Sequence, residues 1–499
     1  FEIRRLFELP VIDEQRIFHI LHLSSLAYCG DRWTDLRRWY NENDHAFQIS
    51  SVDNAPWDSR LLSRLFDCWV RLFRKKRWDD LDQILKIIVG LREDQKLYES
   101  EVLSNSSNAE NRAVALRLIS LYHWAKATEI QAKYVLQGEP AGVATLLNKH
   151  FESAIEAAAA SADSQLEILL RWLQIAGRQM VADSIWWVAR SINSRVTKFV
   201  KEVTKQQALF ELLPPQRAAI QEQGLLDQAA TAIVVDMPTS GGKTLLAQFR
   251  ILQALNQFDQ DESGKGWVVY VAPTKALTAQ ITRRLRRDFE PIGVKVEQLT
   301  GAIEIDAFEE DLLIQTEKTK AFDVLVATPE KLQLIIRNKK VSRPLALVVM
   351  DEAHNIEDET RGLRIELLLA TIKGECNTAN FLLLMPFVEK PEVLARWLAQ
   401  DINAGRPISF GTTPWKPNER IVGMFKAVAD DSIKAGWHLK YETLITTPKT
   451  IHLSGEHKVG DVKPLKVPKS EVLIKGEQQG VTLQTAAMAR IMSERGTSI

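Results

Sequence analysis

Ala232-Ile-Val-Val-Asp-Met-Pro-Thr-Ser-Gly-Gly-Lys-Thr-Leu-Leu246 passes from an apolar β-branched run, through a glycine-rich turn, into a helical stretch that continues to Leu252. A strand that turns into a helix through glycines directs successive backbone N–H groups at one point, and the helix N-terminus adds its positive dipole end. Such a turn is a cradle for phosphate. Thr239, Ser240, Gly241 and Gly242 would line it, Lys243 would reach the β and γ phosphates of ATP, and the Thr244 hydroxyl would take a Mg²⁺ position. The strict pattern GxxxxGK[ST] is not fully met, because Met237 stands where its first glycine would be.

Further along, Trp267–Val271, Asp323–Ala327, Leu345–Met350 and Phe381–Met385 are short, almost wholly apolar runs separated by helical stretches. Near-continuous apolarity in strands that alternate with helices predicts a parallel sheet covered on both faces. In such sheets ligands sit beyond the carboxyl ends of the strands, and here polar signatures directly follow strands. Asp351-Glu-Ala-His354 follows Leu345–Met350. Asp351 is placed to orient Mg²⁺, and Glu352 to take a proton from the water that attacks the γ phosphate. His354 has no second His or Cys at ligand spacing, so zinc is not its role; a link between the nucleotide site and the nucleic-acid face fits better.

Over about 207–420 the chain resembles superfamily 2 DEAD/DEAH-box helicases, particularly the Ski2-like group. Pro238-Thr-Ser-Gly-Gly-Lys-Thr244 is similar to motif I, Ala272-Pro-Thr-Lys-Ala-Leu277 to motif Ia, Thr300-Gly301 to motif Ib, Thr328-Pro-Glu-Lys331 to motif Ic and Asp351–His354 to motif II. The fold expected is therefore α/β, a RecA-like P-loop domain with a parallel sheet, preceded by an all-helical domain. Leu213-Pro-Pro-Gln-Arg217 resembles the Q motif, and the resemblance implies that Gln216 reads the adenine edge. It also implies that Pro273, Thr274, Lys275, Thr300, Gly301, Thr328, Pro329 and Lys331 line a strand-binding face. Their hydroxyls, backbone N–H groups and ammonium groups suit sugar-phosphate rather than bases. The helix arginines Arg283, Arg284, Arg286 and Arg287 would strengthen the local field.

Two departures stand out. Ser240 occupies a motif I position that is usually glycine, and motif III, normally Ser-Ala-Thr, reads Met385-Pro386-Phe387, without hydroxyls. The family also has a second RecA-like domain that supplies arginines to the γ phosphate. Trp415-Lys-Pro417 resembles the exit from the first motor domain, residues 439–475 read as mildly basic and strand-prone, and Thr497-Ser-Ile499 reads as the start of that domain's first central strand. The expected organisation is 1–205 helical, for recognition or regulation; 206–425 the ATP-binding motor domain; and 426–499 a linker and the beginning of a second domain. Residues 1–499 alone are then expected to bind ATP and barely hydrolyse it.

The function implied is an ATP-dependent translocase or helicase, with 3′-to-5′ polarity taken from the Ski2-like resemblance. It would act on single-stranded or partly duplex nucleic acid, DNA favoured over RNA, with a defence or processing role and a protein partner such as a nuclease. The competing reading is an ATP-gated scaffold that recruits a partner without processive unwinding. A metabolic P-loop kinase leaves motifs Ia, Ib and Ic unexplained.

Composition sets the remaining bounds. Lys plus Arg and Asp plus Glu are 64 each, so the chain has no global field and any nucleic-acid site is local. Cys29, Cys68 and Cys376 lack CxxC spacing and read as ordinary buried or half-buried thiols in a reducing, cytoplasmic setting, and no membrane partner is expected. Upstream of about 205, Leu62, Leu65, Phe66, Trp69 and Phe73, and again Leu166, Leu169, Leu170 and Leu173, recur at helical spacing. The tryptophans concentrated there are expected in the core. The basic run Arg74-Lys75-Lys76-Arg77 reads either as a solvated helix end or as a phosphate contact.

Overall fold

The computed structural model describes residues 6, 14–30, 37, 39–41, 57–104, 109–191, 193–238, 241–257, 266–299, 322–337, 343–358, 361–386, 388–409, 421–430, 436–446 and 457–458. Thr239, Ser240, Thr300, Gly301, Phe387, Trp415–Pro417 and Thr497–Ile499 lie outside the described residues. The chain divides into two compact units, Phe1–Thr413 and Pro414–Ile499.

The first unit begins with helices α1 (Glu14–Cys29), α2 (Trp57–Arg74), α3 (Trp78–Ser104), α4 (Ala109–Gln137), α5 (Val143–Ala160) and α6 (Ser164–Asp183). These are followed by α7 (Trp186–Ser191), α8 (Ser194–Gln207) and α9 (Pro214–Gln221). The expected apolar stripes are the packing faces: Leu62, Leu65, Phe66, Trp69 and Phe73 of α2 are fully buried, as are Leu166, Leu170 and Leu173 of α6. Fully burying each such side chain contributes about 1.5–3 kcal/mol relative to exposure. Trp69 and Trp186 are core residues whose indole N–H groups are satisfied by Thr128 Oγ1 and the Val135 carbonyl, both at 3.0 Å.

Half of the basic run departs from a solvated helix end: Arg74 and Lys75 are buried, whereas Lys76 is half-buried and Arg77 exposed. Lys75 ends α2 in the left-handed region (φ 43°), and its N–H donates to Arg71 O at 2.8 Å. Its side chain, 1% exposed, turns into the core to pair with Glu211 at 2.5 Å, while Arg74 pairs with Asp80. Glu211 also accepts from Tyr28 Oη at 2.5 Å and has Arg37 at 3.7 Å. Burial alone would push the Glu211 carboxyl up, but Lys75 and Arg37 beside it hold it below its ordinary value. Two acidic partners, Asp80 six residues on and Glu211 from 136 residues away, thus draw inward cations that a basic run places in solvent. A second expectation is also corrected, since Cys29 is exposed; Cys68 is buried and Cys376 half-buried.

From Ala232 the unit is a seven-stranded sheet with every pairing parallel. Its strands are β1 (Ala232–Asp236), β2 (Trp267–Val271), β3 (Val296–Gln298), β4 (Val324–Ala327), β5 (Leu345–Met350), β6 (Asn380–Met385) and β7 (Gly405–Ser409), in the order β3-β4-β2-β5-β6-β1-β7. Five of these match the apolar runs of the sequence; β3 and β7, short edge strands with polar residues, do not announce themselves. The helices between them are α10 (Lys243–Gln257), α11 (Lys275–Phe289), α12 (Pro329–Arg337), α13 (Gly362–Glu375) and α14 (Pro391–Leu398).

Period-2 alternation divides the sheet into two buried faces. Ile233, Val235, Val268, Tyr270, Leu347 and Val349 join one core with α10, α11 and the upstream helices, whereas Val234, Val269, Val348 and Leu383 join another with α12, α13 and α14. The first of these cores is continuous from the helical region into the motor fold. Phe199 of α8 stacks edge-on against Phe249 of α10 and Phe289 of α11, at centroid distances of 5.7 and 5.8 Å. In the second unit, β8 (Ile421–Asp430) and β9 (Gly436–Thr446) form an antiparallel hairpin extended by β10 (His457–Lys458). Position 425, the expected end of the motor domain, falls inside β8.

Candidate nucleotide and nucleic-acid site

Strand order places the chemistry. The phosphate-loop candidate follows β1, the Asp351-Glu352 pair follows β5, and β6, which ends in Met385, lies between them. Residues 273–275 follow β2 and 328–331 follow β4, and these two strands are neighbours, with Ala272 N donating to Ala327 O at 3.1 Å. Nucleotide candidates and nucleic-acid candidates thus occupy adjacent stretches of the same carboxyl edge. Thr300 and Gly301, although outside the described residues, follow β3, which pairs with β4.

The turn after β1 is built around a methionine. Met237 is fully buried, its N–H donates to Met385 O at 3.1 Å, and a Cβ on Gly241 would strike its side chain. Gly241 therefore makes the room that lets methionine replace the usual glycine. Gly242 has φ 80°, where an L side chain is strained, and a Cβ there would collide with Gln216. The cradle is one that only glycines leave open, which fits a phosphate chain approaching the backbone. Lys243 opens α10 with its Nζ on Met237 O at 3.0 Å. Burial lowers the ammonium below its ordinary value, opposed by the nearby Glu352, Asp351 and Asp236. The lysine, following β1, and the motif II carboxylates, following β5, thus lie within electrostatic reach of one another on the same carboxyl edge.

At the end of β5 the Asp351 N–H donates to Val271 O at 2.9 Å, carrying the ladder one residue past the strand. Its Oδ1 accepts from Glu352 N at 3.0 Å and its Oδ2 from Tyr270 Oη at 2.8 Å. Burial, and then the Asp351 charge, push the Tyr270 phenol well above its ordinary range, so it stays a donor. Glu352 sits in the left-handed region (φ 50°, ψ 41°), at a cost of about 1–2 kcal/mol for a residue with a Cβ. Its carbonyl is held by the Asn355 side chain at 2.7 Å and by Asn355 N at 3.1 Å. His354 Nδ1 lies 3.2 Å from Glu352 Oε2. Hard oxygen ligands are what Mg²⁺ requires, and the Asp351 carboxylate and the Thr244 hydroxyl, at the start of α10, fit that requirement. Bound there, the ion would neutralise charge developing on the phosphates.

Gln216 is drawn inward. Its Oε1 accepts from Leu213 N at 2.9 Å, its Nε2 donates to Gly242 O at 3.1 Å, and it is 3% exposed. It braces the phosphate turn, and contact with an adenine edge would use its second N–H and remaining lone pair. On the neighbouring stretch, Thr274 caps α11, its Oγ1 accepting from Leu277 N at 3.2 Å while keeping its own proton to donate. Lys275 is exposed, Pro273, Pro329 and Lys331 are half-buried, and Thr328 is buried. Of the arginines on α11, Arg286 is engaged by Glu297 and Glu290, and Arg287 by Asp288 and Gln207, which leaves Arg283 and Arg284 as those without an acidic partner among the described residues. Sequence reasoning missed Tyr270 and Asn355: a tyrosine in an apolar strand reads as core until its hydroxyl has a visible partner.

These features define a parallel-sheet α/β domain with a candidate phosphate turn and a carboxylate pair on one edge, and residues 213–385 match the DEAD/DEAH box helicase family. This stretch is a DEAD/DEAH box helicase domain, similar in sequence to helicases of the Hel308 type. Among similar proteins, the ATP-dependent DNA helicase Hel308 of Methanocaldococcus jannaschii is 29% identical over 235 residues, 47% of this chain and 18% of that protein. Hel308 of Pyrococcus abyssi is 32% identical over 204 residues, 41% of this chain and 26% of that protein. The Hachiman protein HamB of Bacillus cereus is 26% identical over 253 residues, 50% of this chain and 21% of that protein. The matched stretch therefore spans between a fifth and a quarter, roughly, of these relatives' length. No helix among the described residues is long and apolar enough to cross a membrane.

Proposed function

We propose that the chain carries the ATP-binding first motor domain of a nucleic-acid translocase or helicase that uses Mg·ATP. The supporting observation is that Lys243, after β1, and Asp351 and Glu352, after β5, share one carboxyl edge of the parallel sheet with the Thr274–Lys275 and Thr328–Lys331 turns. In this reading Lys243 holds the β and γ phosphates, Thr244 and Asp351 hold Mg²⁺, and Glu352 accepts the proton of the attacking water. Gln216 supports the adenine end, with Thr239, Ser240, Gly241 and Gly242 around the phosphates. Pro273, Thr274, Lys275, Thr300, Gly301, Thr328, Pro329 and Lys331 hold a sugar-phosphate strand.

DNA is favoured over RNA as the strand, because the Hel308 relatives are named DNA helicases. A 3′-to-5′ direction rests on the Ski2-like resemblance. A role in defence is suggested by the Hachiman relative, with the helical region, 1–205, engaging a protein partner such as a nuclease and 206–425 acting as the motor. The test is strand displacement by the full-length protein on duplexes with 3′ or 5′ overhangs, with Glu352→Gln as control. Displacement confined to 3′ overhangs and lost in the variant is expected; ATP binding without displacement on either overhang refutes it. The hydroxyl-free Met385-Pro386 ending of β6 favours one competing reading, an ATP-gated scaffold, and that same negative result would support it.

A further inference from the structure

The carboxylate of Asp351 is gripped by a residue outside every motif. Tyr270 stands opposite Val349 in the β2–β5 ladder, and Val271 stands opposite Met350. Because side chains alternate along a strand, Val349 and the residue two further on share the sheet face of Tyr270. The phenol ring therefore runs along the covered face from the strand interior to the strand end, where its hydroxyl meets Asp351 Oδ2 at 2.8 Å. The ring is fully buried among Val268, Val326, Leu347 and Val349. Phenylalanine would fill that space as well, and a buried hydroxyl is costly unless it is bonded. The bond to Asp351 is what makes tyrosine the fitting residue.

The backbone N–H of Glu352 secures the other oxygen at 3.0 Å, so the carboxylate plane is fixed from both sides, with further lone pairs left for water or a cation. Released from Tyr270, the carboxylate could rotate toward the Lys243 ammonium, whose field it already shares. A cation would then have to break that pairing to bind.

We infer that Tyr270 is a positioning residue for the Mg²⁺ carboxylate, setting the affinity of the site for the divalent cation rather than for the nucleotide. The inference rests on the reading of Asp351 as the Mg²⁺ carboxylate. Partners that orient a metal ligand change metal affinity about 10- to 100-fold when removed. The test is calorimetric titration of the full chain with AMP-PNP, in EDTA and at a series of Mg²⁺ concentrations, for wild type, Tyr270→Phe and Asp351→Asn. Tyr270→Phe should raise the half-saturating Mg²⁺ concentration about tenfold, with affinity in EDTA within about twofold of wild type, and Asp351→Asn should remove the response to Mg²⁺. A wild-type Mg²⁺ response in Tyr270→Phe, with Asp351→Asn unresponsive, overturns the role of Tyr270 alone. Equal weakening of Tyr270→Phe in EDTA and in Mg²⁺ marks a general loosening of the sheet and also overturns it. A normal Mg²⁺ response in Asp351→Asn overturns the metal reading itself, and the inference with it.

Discussion

Replacing Lys75 with methionine should destabilise the first unit by about 3 kcal/mol, the lower end of the range for removing one partner of a buried ion pair. The Lys75 side chain is 1% exposed and its Nζ lies 2.5 Å from Glu211, so the variant strands a carboxylate in the core. The lower end applies because Tyr28 still donates to Glu211 and Arg37 remains 3.7 Å away. With an unfolding entropy of about 2.1 cal/mol/K per residue over roughly 400 residues, the midpoint should fall by about 4 °C. Thermal unfolding followed by circular dichroism measures this directly. The double variant Lys75→Met/Glu211→Gln, which removes both charges, should recover to within about 1 kcal/mol of wild type. The pH dependence has a definite sign. The folded Glu211 carboxyl is depressed, so its stabilisation is complete above the unfolded value, about 4.3, and is lost as pH falls through the folded one. Without Lys75 the carboxyl loses the largest influence that lowers it and is neutralised earlier on acidification, so the deficit of Lys75→Met should narrow from pH 7 toward about pH 4. A Lys75→Met midpoint within about 1 °C of wild type, or a double variant as unstable as the two single losses added, would refute the buried pair as a coupled unit.

Glu352→Gln should keep Mg·ATP affinity while lowering nucleic-acid-stimulated turnover of the full-length protein about a hundredfold or more; unchanged turnover would exclude Glu352 as the base. Lys243→Ala should weaken nucleotide binding itself, read by calorimetry. Changing Lys275 and Lys331 together to alanine should weaken mixed-sequence single strands equally and reduce the slope of log affinity against log salt by about 0.7 per lost phosphate contact; a loss confined to particular sequences would point to base contacts instead. Deleting residues 1–205 removes Phe199 from Phe249 and Phe289 and takes Lys75 from Glu211. The remainder should aggregate or melt far below the intact chain, and a soluble, cooperatively folding remainder would show that the shared core is dispensable.

The sequence alone determined the parts whose signal is local. Five strands of the sheet are legible because a strand covered on both faces must be apolar at every position. The phosphate turn is legible because only glycines leave its backbone open, and Asp351-Glu352 because it directly follows such a strand. The same locality explains what the sequence could not carry. Arg74-Lys75 is a basic run until Asp80 and Glu211 are brought beside it, the latter from 136 residues away. Met237 is a flaw in the pattern until Gly241 is seen to make room for it. Gln216 is a free amide until the turn folds back on it, and Tyr270 is core until Asp351 arrives from 81 residues downstream. Helical residues 1–205 and the motor sheet read as successive grammars along the chain, yet one face of the sheet completes its core with those helices. Periodicity states which face of an element must be buried, and only the tertiary structure decides what buries it.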